Sequence, residues 1–217
     1  ASGLQYKVLP GNVGYIRCSS LNTAIGEGNL HEILRYFALC NALIVDIRSN
    51  GGGQLTSAET LASAFTNRTL TVGYLTHKTG PAHDAFSTPK AVRLSPLSGF
   101  RWQKPVAVLI NRRTYSAANA FTMYMKTIPG VILVGDRTGG GSGLPFSSEL
   151  PGGWSIRLSA SPTLDVNGEH TEFGIAPDVR SHLGANDRLN GKDSMIETAV
   201  HELRARHDSL SKAAALR

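Results

Sequence analysis

Cysteine is scarce in this sequence of 217 residues, with only Cys18 and Cys40 present. Both have apolar neighbours, and no second cysteine or histidine stands at the spacing typical of a metal site. We therefore predict two buried free thiols and no disulfide. No Cys/His metal centre is expected, and nothing else in the sequence calls for a metal or an organic cofactor.

Long apolar runs are also lacking. No stretch approaches the roughly 20 residues that a helix needs to cross a bilayer, and no signal peptide is recognisable. We expect no membrane insertion. A mature exported protein and a cytosolic protein are both compatible with this pattern.

Residues of like charge are not clustered anywhere along the sequence. The 22 lysines and arginines exceed the 16 aspartates and glutamates, which gives a net charge of +6. The basic residues are scattered, however, in runs no longer than pairs such as Arg112–Arg113. Nucleic acid interfaces need clustered basic residues, so we expect no nucleic acid partner. The 41% of hydrophobic residues is ordinary for a globular chain, and we predict one domain over residues 1–217.

What the sequence does contain is a serine at a strand-to-helix transition. Residues 106–110 are apolar, as in a strand covered on both faces, and the alanine-rich segment after Ser116 predicts a helix. Ser116 then lies at the helix N-terminus, where unpaired N–H groups, including that of Ala117, would stabilise an oxyanion. The alternative is that Ser116 only caps the helix, as serines at such positions usually do.

Two glycine-rich loops follow other predicted strands. Residues 43–47 predict a buried strand that leads into the glycine triplet 51–53, and residues 134–143 repeat this pattern. Glycine permits positive φ and close backbone approach, so such loops can direct N–H groups into a cleft. Three loops that leave successive strands would converge on one edge of a sheet, where open α/β folds bind their ligands.

Four motifs stand in order along the chain. They are Asp-Ile-Arg-Ser-Asn-Gly-Gly-Gly at 46–53, Thr-Tyr-Ser-Ala-Ala-Asn at 114–119, Val-Gly-Asp-Arg-Thr-Gly at 134–139 and Gly-Ile-Ala-Pro-Asp at 174–178. Together they resemble the carboxyl-terminal processing (tail-specific) peptidase family. The resemblance implies an α/β fold with a crotonase-like ββα core and sheets flanked by helices. It also implies hydrolysis of a peptide or protein substrate through an acyl-enzyme.

The same resemblance implies roles for individual residues. Ser116 would be the nucleophile, and Ala117 would form the oxyanion hole together with Gly52 or Gly53. The glycines of the third loop would bind substrate: Gly139, Gly140 and Gly141.

At the position of the base that activates the serine, this sequence differs from one branch of the family. Where the serine–lysine branch has its lysine, this sequence has Gly141. Lys126 cannot replace it easily, because ten residues along a helix correspond to about 15 Å of rise from Ser116. The sequence thus looks more like the branch with the tricorn core protease and the interphotoreceptor retinoid-binding proteins. In the tricorn type, a histidine and a glutamate assist the serine.

Glu172 lies close to the position of that glutamate, and it would act as an orienting carboxylate. In the tricorn type the histidine precedes the conserved core, where this chain has almost nothing. The start at Ala1 without a methionine fits the C-terminal catalytic part of a longer protein, which is what we expect. Within the chain, His77 at the end of a predicted strand is the candidate histidine, and a solvated loop histidine is the alternative. His170 stands two residues before Glu172.

We predict a serine endopeptidase. The rival hypothesis is a catalytically inactive module whose cleft binds a peptide terminus or an apolar ligand, because a serine without a base turns substrate over slowly. Acyl-thioester chemistry of the wider crotonase type is least favoured, since it needs no serine at this helix start. Family members are commonly exported in bacteria, so the resemblance favours a periplasmic or cell-surface location. The oligomeric state is not predicted.

Four further predictions concern packing. Residues 30–39 form a helix whose apolar face packs on the sheet. Residues 193–203 form a terminal helix, followed by a frayed tail at 209–217. Residues 154–159 alternate like a half-exposed strand. Asp46 and Arg48 share one face of a strand and are predicted to form a structural ion pair or loop brace rather than a catalytic pair.

Overall fold

The computed structural model describes residues 3–215, and within this range the side chains of all residues except residue 188 and residues 209–215. The strands are β1 (Leu4–Leu9), β2 (Val13–Cys18), β3 (Ala42–Asp46), β4 (Leu70–Leu75), β5 (Lys90–Leu94), β6 (Val106–Ile110), β7 (Val131–Gly135), β8 (Phe146–Leu150), β9 (Trp154–Leu158), β10 (Thr163–Leu164) and β11 (Val179–Arg180). The helices are α1 (Glu27–Tyr36), α2 (Leu55–Ser63), α3 (Ala117–Lys126), α4 (Ala185–Leu189) and α5 (Ser194–Ala215), with a 3₁₀ turn at Thr171–Phe173.

A six-stranded sheet in the order β1-β2-β3-β6-β7-β11 forms the centre of the fold. β1 runs antiparallel to β2, and the other neighbours are parallel. Every residue of β3 and β6 is buried. Val45 and Val108 pack with α1, α2 and α3 on one face, whereas Ile44 and Ala107 pack with α5 on the other. The predicted α/β fold with helices flanking the sheet is confirmed, and its crotonase-like class stays a prediction.

The loops after β3, β6 and β7 leave the same edge of this sheet, because these strands are parallel neighbours. Tyr115, in the loop after β6, forms a parallel bridge with Gly140 in the loop after β7. Its N–H also donates to the carbonyl of Asn50, in the loop after β3, at 2.9 Å. The predicted convergence of the three loops is confirmed.

Two smaller sheets complete the fold: a three-stranded sheet in the order β10-β4-β5 and the hairpin β8-β9. Every residue of the hairpin strands is exposed, including Phe146, Leu150 and Trp154. The prediction of a half-exposed strand at 154–159 is therefore wrong about burial. Alternation predicts the strand, but a buried face requires a covering layer, and none of the described residues supplies one.

The predicted helices are present with shifted ends. α1 covers Glu27–Tyr36 and buries Leu30, Ile33 and Leu34 against the sheet, as predicted, but it ends before residue 39. α5 buries Ala199 and Leu203 and continues to Ala215. The predicted fraying of 209–217 stays a prediction, since the side chains of residues 209–215 and the whole of residues 216 and 217 lie outside the described part of the chain.

Cys18 and Cys40 are buried free thiols, as predicted. Over residues 3–215, no helix combines the length and apolar character needed to cross a membrane.

Candidate active site

Ser116 occupies a sharp turn between β6 and α3. Its φ of 57° and ψ of −125° are uncommon for a residue with a side chain, and such strain persists only where neighbouring contacts hold it. The Ser116 N–H donates to the Gly140 carbonyl at 2.8 Å, and the Ser116 carbonyl accepts from Ala120 at 3.0 Å. The hydroxyl makes no capping hydrogen bond to α3. The alternative in which Ser116 only caps the helix is therefore wrong.

The Ser116 turn is tied to the loop after β3 through Thr114. This side chain is fully buried, and its hydroxyl donates to the Ile47 carbonyl at 3.0 Å. It also accepts from the N–H of Asn111 at 3.1 Å. The buried hydroxyl is thus satisfied on both sides, and it fixes the start of the turn relative to the neighbouring strand.

The glycine triplet is shaped by Asn50. Its fully buried side chain donates to the Cys18 carbonyl at 3.0 Å and accepts from the N–H of Gly52 at 2.9 Å. Gly53 has a φ of 140°, and a Cβ atom there would lie 2.3 Å from the backbone of Leu21. Only glycine fits so close to another backbone.

Two N–H groups beside Ser116 are free to bind an oxyanion. Among the described residues, the N–H groups of Gly53 and Ala117 have no hydrogen-bond acceptor. The N–H of Gly52 is occupied by Asn50. Of the two candidate donors in the triplet, Gly53 is therefore the better placed.

The third loop joins the Ser116 turn to the segment around Glu172. Gly139 donates to the Thr114 carbonyl at 2.8 Å, and Gly141 donates to the Glu172 carbonyl at 3.1 Å. Gly140 has positive φ and packs against the same Glu172 carbonyl. Gly141 alone of the three glycines is found among the residues that line the cavities around Ser116. Gly139 and Gly140 hold the loop in place.

Two cavities adjoin Ser116. The apolar cavity, of about 320 Å³, is lined by Gly53, Ser116 and Ala117 and by side chains that include Leu75 and Met123. The polar cavity, of about 290 Å³, also contains Ser116, with lining side chains that include Tyr115, Arg157, Ser159 and Glu172. The nucleophile candidate thus stands between two compartments of different chemistry.

Glu172 shares the polar cavity with Ser116, so the structure brings these two predicted residues together. Its carboxylate accepts a hydrogen bond from the Ser159 hydroxyl at 3.3 Å. Within the described part of the chain, no base hydrogen-bonds to the Ser116 hydroxyl. Serine therefore lacks an activating partner here.

His77 is not brought to Ser116. The Nδ1 atom of His77 lies 3.2 Å from the Ser161 hydroxyl oxygen, and its backbone N–H donates to Ser87. Neither cavity beside Ser116 includes it among its described lining residues. The strand β4 itself reaches the site, since Leu75 lines the apolar cavity, but His77 lies two residues further on, where its contacts are with Ser161 and Ser87.

Other candidate bases also lie elsewhere. His170 lines a further cavity of about 280 Å³, which Glu172 borders as well but Ser116 does not. The Lys126 ammonium lies 3.4 Å from the Ala176 carbonyl oxygen. Neither His170 nor Lys126 therefore replaces the lysine that the serine–lysine branch has at the position of Gly141.

Asn119 on α3 had no predicted role, yet it connects three parts of the site. It is fully buried. Its amide N–H groups donate to the Ser142 hydroxyl at 2.6 Å and to the Thr171 carbonyl at 3.0 Å, and its amide oxygen accepts from the Thr138 hydroxyl at 2.5 Å. An amide between alanines in the first turn of a buried helix is the sequence signal that points to such a network.

Asp46 and Arg48 form the predicted structural ion pair at 2.6 Å. Arg17 and the Tyr15 hydroxyl also contact the fully buried Asp46 carboxylate, and Arg48 continues to Asp193 before α5. Burial raises the pKa of Asp46, but the hydrogen bonds and charges of Arg48 and Arg17 outweigh it and hold the pKa below its usual value. This network joins the sheet to α5 and takes no part in the cavities.

Comparison with known proteins gives a consistent result. Residues 12–181 match the model of peptidase family S41. The carboxy-terminal processing protease CtpA of Bacillus subtilis (strain 168) is 27% identical over 141 residues, which are 64% of this chain and 28% of that protein. The tricorn protease of Thermoplasma acidophilum is 26% identical over 199 residues, covering 89% of this chain and 17% of that protein.

One solved structure is especially similar. A Parabacteroides merdae protein superposes with a TM-score of 0.92 at 47% sequence identity, covering 96% of this chain and 67% of that one. The chain spans less than a third of the length of the two curated relatives above. Because the family model covers most of the chain and the motifs lie together at one edge of the sheet, this protein belongs to peptidase family S41.

Proposed function

We propose that this chain is a serine peptidase that hydrolyses peptide bonds through an acyl-enzyme on Ser116. The observation that carries the proposal is the turn at Ser116. Its backbone is held by hydrogen bonds, its hydroxyl is not used as a helix cap, and the free N–H groups of Gly53 and Ala117 line the same cavity. A nucleophile and two oxyanion donors on a fixed backbone are what acyl transfer requires.

In the proposed acylation step, the Ser116 oxygen bonds to the scissile carbonyl carbon. The carbonyl oxygen takes the negative charge and accepts hydrogen bonds from Gly53 and Ala117. The intermediate then collapses with cleavage of the carbon–nitrogen bond, and the departing amine takes up the proton that the Ser116 hydroxyl has lost. Water hydrolyses the resulting ester and restores Ser116.

We assign Glu172 to orienting the base rather than to being the base. It lies in the polar cavity with Ser116, and Ser159 donates a hydrogen bond to it. A carboxylate in this position can hold a proton-accepting group and stabilise its charged form. The geometry around His77 does not support the role of that group.

A binding module is the second candidate. It is favoured by the lack of a base bonded to Ser116 among the described residues. In that case, the cavities would hold a peptide terminus or an apolar ligand without turnover. The crotonase-like class and export to a bacterial periplasm or surface are further proposals, and both rest on the family resemblance.

Intact-mass detection of labelling by a fluorophosphonate probe tests the proposed function. We expect one label on the native chain, one on the control variant Ser95→Ala, at an exposed serine that lines neither cavity, and none on Ser116→Ala. Labelling of Ser116→Ala at the native rate would contradict the nucleophile assignment. An unlabelled native chain that binds peptides would favour the binding module.

A further inference from the structure

The apolar cavity is the natural place for a substrate side chain. It contains the two free N–H groups, from Gly53 and Ala117, whereas the polar cavity contains neither. A carbonyl oxygen held by these groups lies at the cavity wall. The side chain on the adjoining Cα then has its nearest free volume in the same cavity, whose walls include Leu75, Val92 and Met123. This step rests on the proposed function.

Glu59 is the one charged side chain among the described residues that line this cavity. It stands on α2, one turn after Leu55, so the two side chains lie on the same face of the helix and both reach the cavity. Glu59 forms no ion pair with any other described residue. An unpaired carboxylate thus borders a cavity that is otherwise mostly apolar.

The position of Glu59 limits the cost of binding a cation. Its side chain is exposed to solvent, so an ammonium group that reaches it keeps part of its hydration. The neighbouring Tyr124 is buried, and burial together with the charge of Glu59 raises its pKa to about 12. Its hydroxyl is therefore neutral near pH 7, and it adds no second charge to the cavity.

We propose that Glu59 determines specificity: the apolar cavity receives the side chain of the residue whose carbonyl Ser116 attacks, and Glu59 selects lysine or arginine there. The methylene stem of such a side chain packs on Leu75, Val92 and Met123, while its charged end reaches Glu59 near solvent. A volume of about 320 Å³ is sufficient for a long side chain. An acidic side chain would be repelled.

Three quenched fluorogenic peptides that differ only at this position test the proposal. They carry lysine, methionine or glutamate, because methionine has a stem of similar length without a charge. We expect the native chain to prefer lysine over methionine in kcat/KM and to cleave the glutamate peptide least. In Glu59→Gln, the lysine-to-methionine ratio should fall about five-fold, as for loss of an exposed ion pair.

Glu32→Gln is the matched control, because it makes the same change at an exposed position on α1 that does not line the cavity. Its ratio should equal that of the native chain. An equal ratio in Glu59→Gln and the native chain, or a native preference for methionine over lysine, would overturn the assignment of Glu59 while leaving the peptidase proposal intact.

Failure of the proposed function gives a different result. If Ser116→Ala cleaves the peptides as fast as the native chain, the nucleophile assignment fails whatever the ratio. If the native chain cleaves none of them, equilibrium binding of the lysine and methionine peptides tests the role of Glu59 instead. Tighter binding of the lysine peptide that is lost in Glu59→Gln would support the role of Glu59, and equal binding would refute it.

Discussion

Gly52 lies directly against Ser116. A Cβ atom on Gly52 would be 2.7 Å from the Cβ of Ser116 and 2.9 Å from the nitrogen of Ala117. The glycine therefore sets how closely the loop after β3 approaches the loop after β6. The proposed oxyanion site depends on that approach, since one donor comes from each loop.

Gly52→Ala should push the two loops apart. We expect the rate of fluorophosphonate labelling to fall at least about ten-fold, because small displacements of oxyanion donors are costly. Positive φ adds strain of about 1 kcal/mol or more for alanine. Thermal unfolding should show a lower Tm. Gly51→Ala is the control for stability, since a Cβ there meets no atom within 4 Å; a Tm loss of the same size in both variants would contradict this account.

Asn119→Ala should destabilise the fold as well as the site. The change leaves the buried hydroxyl of Thr138 and the carbonyl of Thr171 each without one partner. We expect a loss of about 2–4 kcal/mol in the free energy of unfolding, measured with urea. Asn29→Ala, at an exposed position on α1, should change it by less than about 0.5 kcal/mol. Similar losses in both variants would mean that the network contributes little.

Glu172→Gln should slow hydrolysis without unfolding the chain. The amide keeps the shape of the side chain but removes the charge that would stabilise a protonated base, so kcat should fall by about 100-fold or more. Glu169→Gln, three residues earlier and exposed, should retain native kcat. Retained kcat in Glu172→Gln would remove Glu172 from the proposed mechanism.

Acid should weaken the link between the sheet and α5. The pKa of Asp46 is lowered in the folded chain, so its contribution to stability is present above the ordinary aspartate pKa of about 3.9 and is lost as pH falls through the folded value. Asp46→Asn leaves Arg48 and Arg17 without this partner, and we expect it to cost about 3–5 kcal/mol at pH 7.

The difference in unfolding free energy between the native chain and Asp46→Asn should narrow as the pH falls below the ordinary aspartate pKa, because the unfolded chain then binds a proton on Asp46 before the folded chain does. Urea titrations at several pH values measure this. A difference independent of pH would show that packing, rather than charge, causes the loss.

The sequence predicted those parts of the site that depend on local order. Ser116 and the triplet 51–53 each follow a strand directly, so the order of strand, loop and helix places them at one edge. The network of Asn119 could not be predicted in the same way. Its partners Ser142 and Thr171 are 23 and 52 residues away along the chain, and only tertiary packing brings them together.

His77 shows a different limit. The end of its strand could be predicted, but the contacts of the side chain could not, because its partner Ser161 is 84 residues away along the chain. The prediction that one face of the strand at 154–159 is buried failed for a related reason. Alternation along residues 154–158 describes a strand, whereas the layer that would cover one face belongs to another part of the molecule.

The hairpin β8-β9 and the central sheet, which both contribute residues to the site, should differ in their resistance to local unfolding. A two-stranded ribbon with both faces exposed has few contacts to resist local opening, whereas Ser116 is fixed to the buried sheet. Arg157, which lines the polar cavity, stands on this ribbon. The backbone amides of β8 and β9 should therefore exchange with solvent deuterium long before those of β3 and β6. Such local opening of the hairpin would move one wall of the polar cavity while the nucleophile and its oxyanion donors stay in position.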